Sequence, residues 1–522
     1  MTTAAAPPIS NRRNALLWPL WIAAAFTLLA VIGISYASAH WPYRYRNVGP
    51  LLKNLLASQI SIGRYERTYF PSPGFIVTGL TLRRNSAPDL PPVGSARTLI
   101  VEGRWSDLLL LRRRVRLVDV EGLHIVIPPV GSRANREDFP AGSSADFSGP
   151  ETVVEQFNIH NAVLDILRTG GGRYSFPIRQ LVIRNLHKGQ TITYMLDMQN
   201  ARPSGRIHAS GVFGPLLPKN LGATQLSGSF TFSDGRLSDI HGLNGEFTAQ
   251  GSFHGALSAI EADAACHSTD FAVGHGRPTA IDVFGHATVN GLNGNMILHT
   301  IDTHTGQTNL RAQGSILGSP KLTNLDLTIT RGRAEDVLRP FFDEDVPIAG
   351  ALWLQSHATL APAQHGLTFF DRLAMQGTFN IPAGRLTDHS LEEKLSAFSE
   401  RARGVKGNKD PDHGKHPEVL SSLRARAAIR NGVVSTHGML FAIPGASAGL
   451  NGTFNLQNRN VHLLGNLDMQ TDLSHVTTGF KSLLIKPLSP FFKKKNAGAV
   501  VPIAVTGAPR QYKITQNLFH QK

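Results

Sequence analysis

Between Leu226 and Met469 the chain repeatedly places an apolar residue or glycine at every second position, with polar residues in between. The clearest stretch runs Leu243, Gly245, Phe247, Ala249, Gly251, Phe253 on one parity and Asn244, Glu246, Thr248, Gln250, Ser252, His254 on the other. Side chains alternate between the two faces of a strand, so this pattern predicts a sheet with one apolar and one wetted face. A slip of one residue would invert every side chain, which pins the register.

The alternation recurs in Leu226, Gly228, Phe230, Phe232, in Leu310, Ala312, Gly314, Ile316, and in Leu373, Met375, Gly377, Phe379, Ile381. It returns in Leu450, Gly452, Phe454, Leu456 and in Val461, Leu463, Gly465, Leu467, Met469. Ser233-Asp234-Gly235, Asn290-Gly291, Asn293-Gly294 and Asn431-Gly432 suit tight hairpins, so an antiparallel meander is the expected topology. Earlier strands are predicted around Phe75 and Val77, Leu99 and Val101, Val115 and Leu117, Leu123 to Ile127, and from Val153 to Met198. A short helix is expected from Trp105 to Leu111, and a loop over 129–150, rich in Pro, Gly, Ser and charge.

Helical spacing is confined to a few places. Val48, Leu51, Leu52, Leu55, Leu56 and Ile60 predict an amphipathic helix. Ser390 and Glu393 form a capping box before Leu391, Leu395, Phe398 and Ala402, and Leu473, Val476, Phe480, Leu483 and Leu484 precede Pro487. So few helices do not cover some twenty strands, and a single core seldom grows past roughly 250 to 300 residues. The expected fold is therefore mostly β: an extended, curled antiparallel sheet forming an apolar groove, with a few short helices. At about 4.8 Å per strand it would extend about 100 Å.

The N-terminus changes the setting. From Asn14 to Ala39 there are 26 consecutive uncharged residues, including Leu16, Trp18, Trp21, Phe26, Leu29 and Ile32, a length that spans a bilayer. Arg12, Arg13 and Ala37-Ser38-Ala39 also resemble a cleavable signal peptide, but such a core is roughly 7 to 15 residues, so an uncleaved signal anchor is the better reading. Trp41, Tyr43 and Tyr45 fit an interfacial aromatic belt. The expected division is a cytoplasmic tail over 1–13, the anchor over 14–39, a β-rich region over 40–200 and a β-groove region over 201–522.

Charge and candidate chemistry narrow the function. Lysine and arginine outnumber acids by 52 to 37, yet the basic residues are scattered and form no nucleic-acid motif. The triplets Arg112 to Arg114 and Lys493 to Lys495 fall short of the roughly four to eight charges of a lipid-binding cluster. The single cysteine, Cys266, excludes an intramolecular disulfide and reads as a packed small residue. His413 and His416, with Asp410, Asp412 and Glu418, read as a solvated loop, and His241, His254, His267, His286 and His299 fall mostly at polar strand positions. With no phosphate loop, nucleophile elbow or coherent carboxylate pair, no enzyme, cofactor or metal site is expected.

Three N-terminal segments, PSPGFIVTGLTLRR, ARTLIVEGRWSDLLLL and RVRLVDVEGLHIVIP, and the C-terminal run from FAIPGASAGLNGTF to AVVPIAVTG resemble the AsmA family of inner-membrane-anchored envelope proteins. That family is related to TamB-like and repeating-β-groove lipid-transfer proteins. The final APRQYKITQNLFHQK is shorter and more basic than the family tail. The resemblance implies a single-pass protein of the bacterial inner membrane, its body in the periplasm, that serves outer-membrane biogenesis by carrying phospholipid along an apolar groove. An outer-membrane or envelope protein partner is a further expectation. Groove-lining candidates are Phe230, Phe232, Leu243, Phe247, Phe253, Leu310, Ile316, Met375, Phe379, Leu450, Phe454, Leu456, Leu463 and Leu467. Rival readings are an assembly factor for outer-membrane proteins, acting by strand addition, and a structural spacer with a closed core.

Overall fold

The structure is a computed structural model. It describes residues 59–516 apart from 84–89, 111, 113, 130–131, 133, 135–152, 169–170, 188, 218–219, 319, 365, 388–391, 393–394, 397–398, 400–419, 470–498 and 509–510. The membrane anchor, the helix expected before Pro487 and the histidine-bearing loop at 410–418 lie outside the described residues.

Among the described residues, twenty-six strands form one large curled sheet. The first group is β1 (Gln59–Ser61), β2 (Arg64–Thr68), β3 (Gly74–Arg83), β4 (Gly94–Glu102), β5 (Arg114–Glu121) and β6 (His124–Ile127). Then come β7 (Val153–Leu167), β8 (Arg173–Leu186), β9 (Ile192–Ala201), β10 (Ser204–Phe213), β11 (Gln225–Arg236), β12 (Leu243–Asn244), β13 (Glu246–Ala256) and β14 (Ala259–Val273). The ladder continues with β15 (Thr279–Val289), β16 (Met296–Thr305), β17 (Thr308–Leu317), β18 (Leu322–Arg333), β19 (Ile348–Leu360) and β20 (Leu373–Leu386). It ends with β21 (Ser421–Arg430), β22 (Val433–Ile443), β23 (Ala446–Asn455), β24 (Val461–Met469), β25 (Ala499–Gly507) and β26 (Lys513–Gln516). Short helices α1 (Trp105–Leu109), α2 (Ala334–Leu338) and α3 (Phe369–Arg372) sit at strand ends.

From β7 onward each strand pairs antiparallel with its sequence neighbour, apart from the two-residue β12, which pairs with β14 while β11 pairs with β13. The meander fails once: β5 and β6 both pair parallel with β7, across the long connection from 128 to 152. A parallel pair requires such a crossover, and the loop composition alone does not reveal it. At the ends of the ladder β26 pairs with β25, and β1 and β2 with β3, so among the described residues the sheet does not close into a barrel.

Asn431 and Gly432 join β21 to β22 with φ of 50° and 71°, the left-handed pair that a two-residue hairpin turn requires. Ser233-Asp234-Gly235 is not a hairpin. β11 runs straight through it, and the positive φ of Asp234, 55°, is absorbed in a bulge between Phe232 and Gly235. Ile60 likewise belongs to β1, paired with Leu82, so the helical spacing read from Val48 does not extend to that residue. The domain boundary expected near residue 200 falls in the tight turn between β9 and β10, and the ladder passes through it unbroken.

Candidate functional site: one apolar face of the sheet

Residues directly opposite one another on paired strands share a face, so the registers carry one face across the molecule. Phe230 lies opposite Gly251, Gly251 opposite Ala264, Ala264 opposite Gly285, and Gly285 opposite Ile301. Ile301 then faces Ala312, Ala312 Leu327, Leu327 Ser356, Ser356 Gly377 and Gly377 Ala427. In the other direction Phe230 faces Ala209, which faces Leu196 and then Leu181. Among the described residues, no charged side chain of strands β10 to β17 stands at a register position of this face. Burial also pushes the Tyr194 hydroxyl up to about 12 and raises the Cys266 thiol, so both stay neutral at neutral pH.

The same face is packed in three different ways. Over β3 to β9 it is a closed core: Phe75, Val101, Val118, Phe157 and Ile159 are at most 1% exposed. Among the described residues, every buried member of that cluster comes from the sheet or its turns. At β18 to β21, Ile329, Ile348, Leu352 and Ile381 pack with Ala334, Val337 and Leu338 of α2, while at β22 to β25, Leu450, Met469, Val501 and Ile503 pack with Leu395.

Strands β11 to β16 contribute to none of these clusters. There Phe230, Phe232, Phe247, Phe253, Val283, Leu298 and Ile301 are half-buried, while Ser227, Ser229, Thr231, Thr248, Gln250 and Ser252 on the opposite face are exposed. Among the described residues no other element packs over this stretch in those clusters, and its apolar side chains, half-buried, screen one another.

Glycine makes that surface smooth. Phe253 lies opposite Gly228, Phe230 opposite Gly251 and Phe247 opposite Gly235. A Cβ on Gly251 would stand 2.8 Å from the Phe230 ring, and one on Gly228 would stand 2.9 Å from the Phe253 ring. The rings therefore lie down over bare backbone. Phe232 and Phe247 stack with centroids 5.1 Å apart and an interplanar angle of 9°, and Phe230 and Phe253 lie 6.4 Å apart.

The curl is fastened where connections meet. The turn after β11 touches α3, with β12 to β19 lying between them in sequence: Arg372 Nη2 donates to the His241 carbonyl at 2.8 Å, and His241 Nε2 lies 3.0 Å from the Leu367 carbonyl. Arg459, in the turn after β23, pairs with Asp343 and Glu344, which precede β19. Arg459 holds the Asp343 carboxyl below its ordinary value, through its hydrogen bond first and its charge second.

The sequence candidates distribute accordingly. Phe230, Phe232, Phe247, Phe253, Ile316, Met375 and Phe454 stand half-buried on the common face, outside the three closed clusters. Leu310 and Phe379 pack against the α2 cluster, and Leu450, Leu463 and Leu467 belong with the β22–β25 cluster. Leu243 sits on β12 opposite Val273, at the end of the ladder. Leu456 lies past the end of β23, in the turn, where its N–H donates to the Gly432 carbonyl. The glycines opposite the phenylalanines were in the alternation, but their role as seats for the rings depends on register. No protein-family model matches the chain, and no curated protein matches it.

Proposed function

We propose that the chain is a membrane-anchored lipid conduit, in which phospholipid acyl chains lie along the apolar face while headgroups stay in water. The observation that carries this reading is the uncovered, charge-free face of β11 to β16, among the described residues, continuous in register with closed cores on either side. Exposing an acyl chain to water costs about 0.8 kcal/mol per methylene, so a continuous trough removes the main barrier to carrying lipid through an aqueous space. From β11 to β16 the ladder advances about 19 Å at about 4.8 Å per strand. That length accommodates the tails of one leaflet, about half of a hydrocarbon core about 30 Å thick.

The charge-free stretch from Asn14 to Ala39 and the resemblance to AsmA proteins support a bacterial inner-membrane anchor with the body in the periplasm, serving outer-membrane biogenesis. Such a wall has no energy source. It equalises chemical potential, and direction comes from a partner or a gradient.

The test is mass spectrometry of the purified chain lacking residues 1–39. Near-stoichiometric phospholipid, lost on Phe247→Glu or Phe454→Glu, is the expected result. A lipid-free protein unchanged by both substitutions contradicts the proposal.

A further inference from the structure

The polar, outer face of the same strands carries a constellation that lipid transfer does not use. Strand β16 contains one residue too many: Thr300 pairs with His286 and Leu298 with Ala287, leaving His299 as the extra residue of a bulge. Toward β17 the ladder likewise steps from Leu298 to Ile301. Bulges re-aim side chains and recur beside functional sites. This one brings His299 to His286, with ring centroids 5.3 Å apart.

Glu261 of β14 completes the group. Its Oε2 lies 3.5 Å from His286 Nε2, and one ligand atom from each of Glu261, His286 and His299 falls within 4.8 Å of the other two. The Thr288 hydroxyl donates to Glu261 Oε1 at 2.9 Å and lies 2.6 Å from His299 Nε2, bridging a carboxylate and an imidazole as a cation would. On the far side of His286, Nδ1 lies 2.9 Å from Asp263 Oδ1. Asp263 thus offers an acceptor to an Nδ1 proton, and in the neutral ring with that tautomer the Nε2 lone pair faces Glu261, the carboxylate–histidine arrangement that orients metal ligands.

We propose that Glu261, His286 and His299 bind a divalent transition-metal ion of the zinc class, with Asp263 positioning His286. Two imidazoles and one carboxylate suit zinc and disfavour magnesium or calcium, which take oxygen ligands, and the partly exposed surface leaves the fourth position to water. On binding, His299 exchanges its contact with Thr288 for the ion. The ion then ties β14, β15 and β16 together at the bulge, behind Ala262, Ala287 and Leu298 of the apolar face.

The test uses the full-length chain without a histidine tag, equilibrated with zinc and then dialysed, with retained metal counted by elemental mass spectrometry and the site probed by the cobalt(II) absorption spectrum. One equivalent is expected, retained against excess magnesium and calcium. His286→Ala and His299→Ala lose it, Asp263→Asn weakens it about 10- to 100-fold, and His267→Ala, whose ring pairs with Asp282 elsewhere on the face, keeps it. Unchanged circular dichroism shows that the variants fold. Absence of retained zinc, or zinc retained equally by wild type, His286→Ala and His299→Ala, overturns the site. Lipid load is read on the same samples, so failure of the metal site and failure of the conduit are separate results.

Discussion

Replacing Phe247 by glutamate separates a lipid trough from a protein core. In the empty trough the new carboxylate stays wetted, so the loss is that of a half-buried phenylalanine. Full burial of such a side chain contributes about 1.5–3 kcal/mol, half of it about 1 kcal/mol, and the stack on Phe232 adds roughly 0.5–1.5 kcal/mol. The variant is therefore destabilised by only about 2 kcal/mol. Under an acyl chain the same carboxylate must be neutralised. Bringing a glutamate from its ordinary value near 4.3 to the protonated form at pH 7 costs about 3.7 kcal/mol, or roughly 500-fold in lipid occupancy at that position. Phe157→Glu is the contrast, because Phe157 is 1% exposed inside the closed core and the substitution should unfold that core. The assay pairs thermal unfolding with phospholipid load and with transfer of a fluorescent phospholipid between vesicles. Load and transfer within about twofold of wild type would refute the trough, and a Phe247→Glu melt as low as that of Phe157→Glu would show a closed core instead.

Two further outcomes test the frame that holds the face. Asp343 has a folded-state value depressed by Arg459, so its contribution is fully present above the ordinary carboxylate value, about 3.9, and is lost as pH falls through the lower folded value. Hydrogen exchange in the turns at 339–345 and 456–460 should accelerate over that acidic window in wild type, and Arg459→Ala should abolish the pH step. Gly251→Val should displace the Phe230 ring and loosen the β13–β14 pairing by about 1–3 kcal/mol, since its Cβ would stand 2.2 Å from the Asp263 carbonyl oxygen. Faster amide exchange in both strands is the readout, and unchanged exchange would show that the backbone shifts without cost.

The alternation from Leu243 to His254 was enough to place Phe247, Ala249, Gly251 and Phe253 on one face, because period two leaves no other arrangement for a paired strand. Asn431-Gly432 was legible for a similar reason: two consecutive left-handed residues suit few structures besides a two-residue hairpin. Ser233-Asp234-Gly235 offers the same residue types but lies inside β11, where pairing on both sides outweighs local turn preference. The difference between Phe230 and Leu450 was not legible. Both sit in an apolar–glycine alternation, but Leu450 packs into a closed cluster with Leu395 from a distant segment, whereas Phe230 belongs to none of the three clusters. Periodicity reports which way a side chain points and is silent on what stands over it. His299 had a faint signature in the two polar residues between Leu298 and Ile301, although only the register makes it the neighbour of His286 and Glu261.

Position-by-position photo-crosslinking in intact cells tests the central claim most directly. A photoreactive phenylalanine analogue placed at Phe232, Phe247, Phe253 and Met375 on the apolar face, and at Thr231, Thr248, Gln250 and Gln376 on the polar face, is irradiated and the adducts are identified by mass spectrometry. Phospholipid adducts confined to the first set are the predicted result. Adducts on both sets alike, or protein adducts in place of lipid on the apolar face, would contradict it.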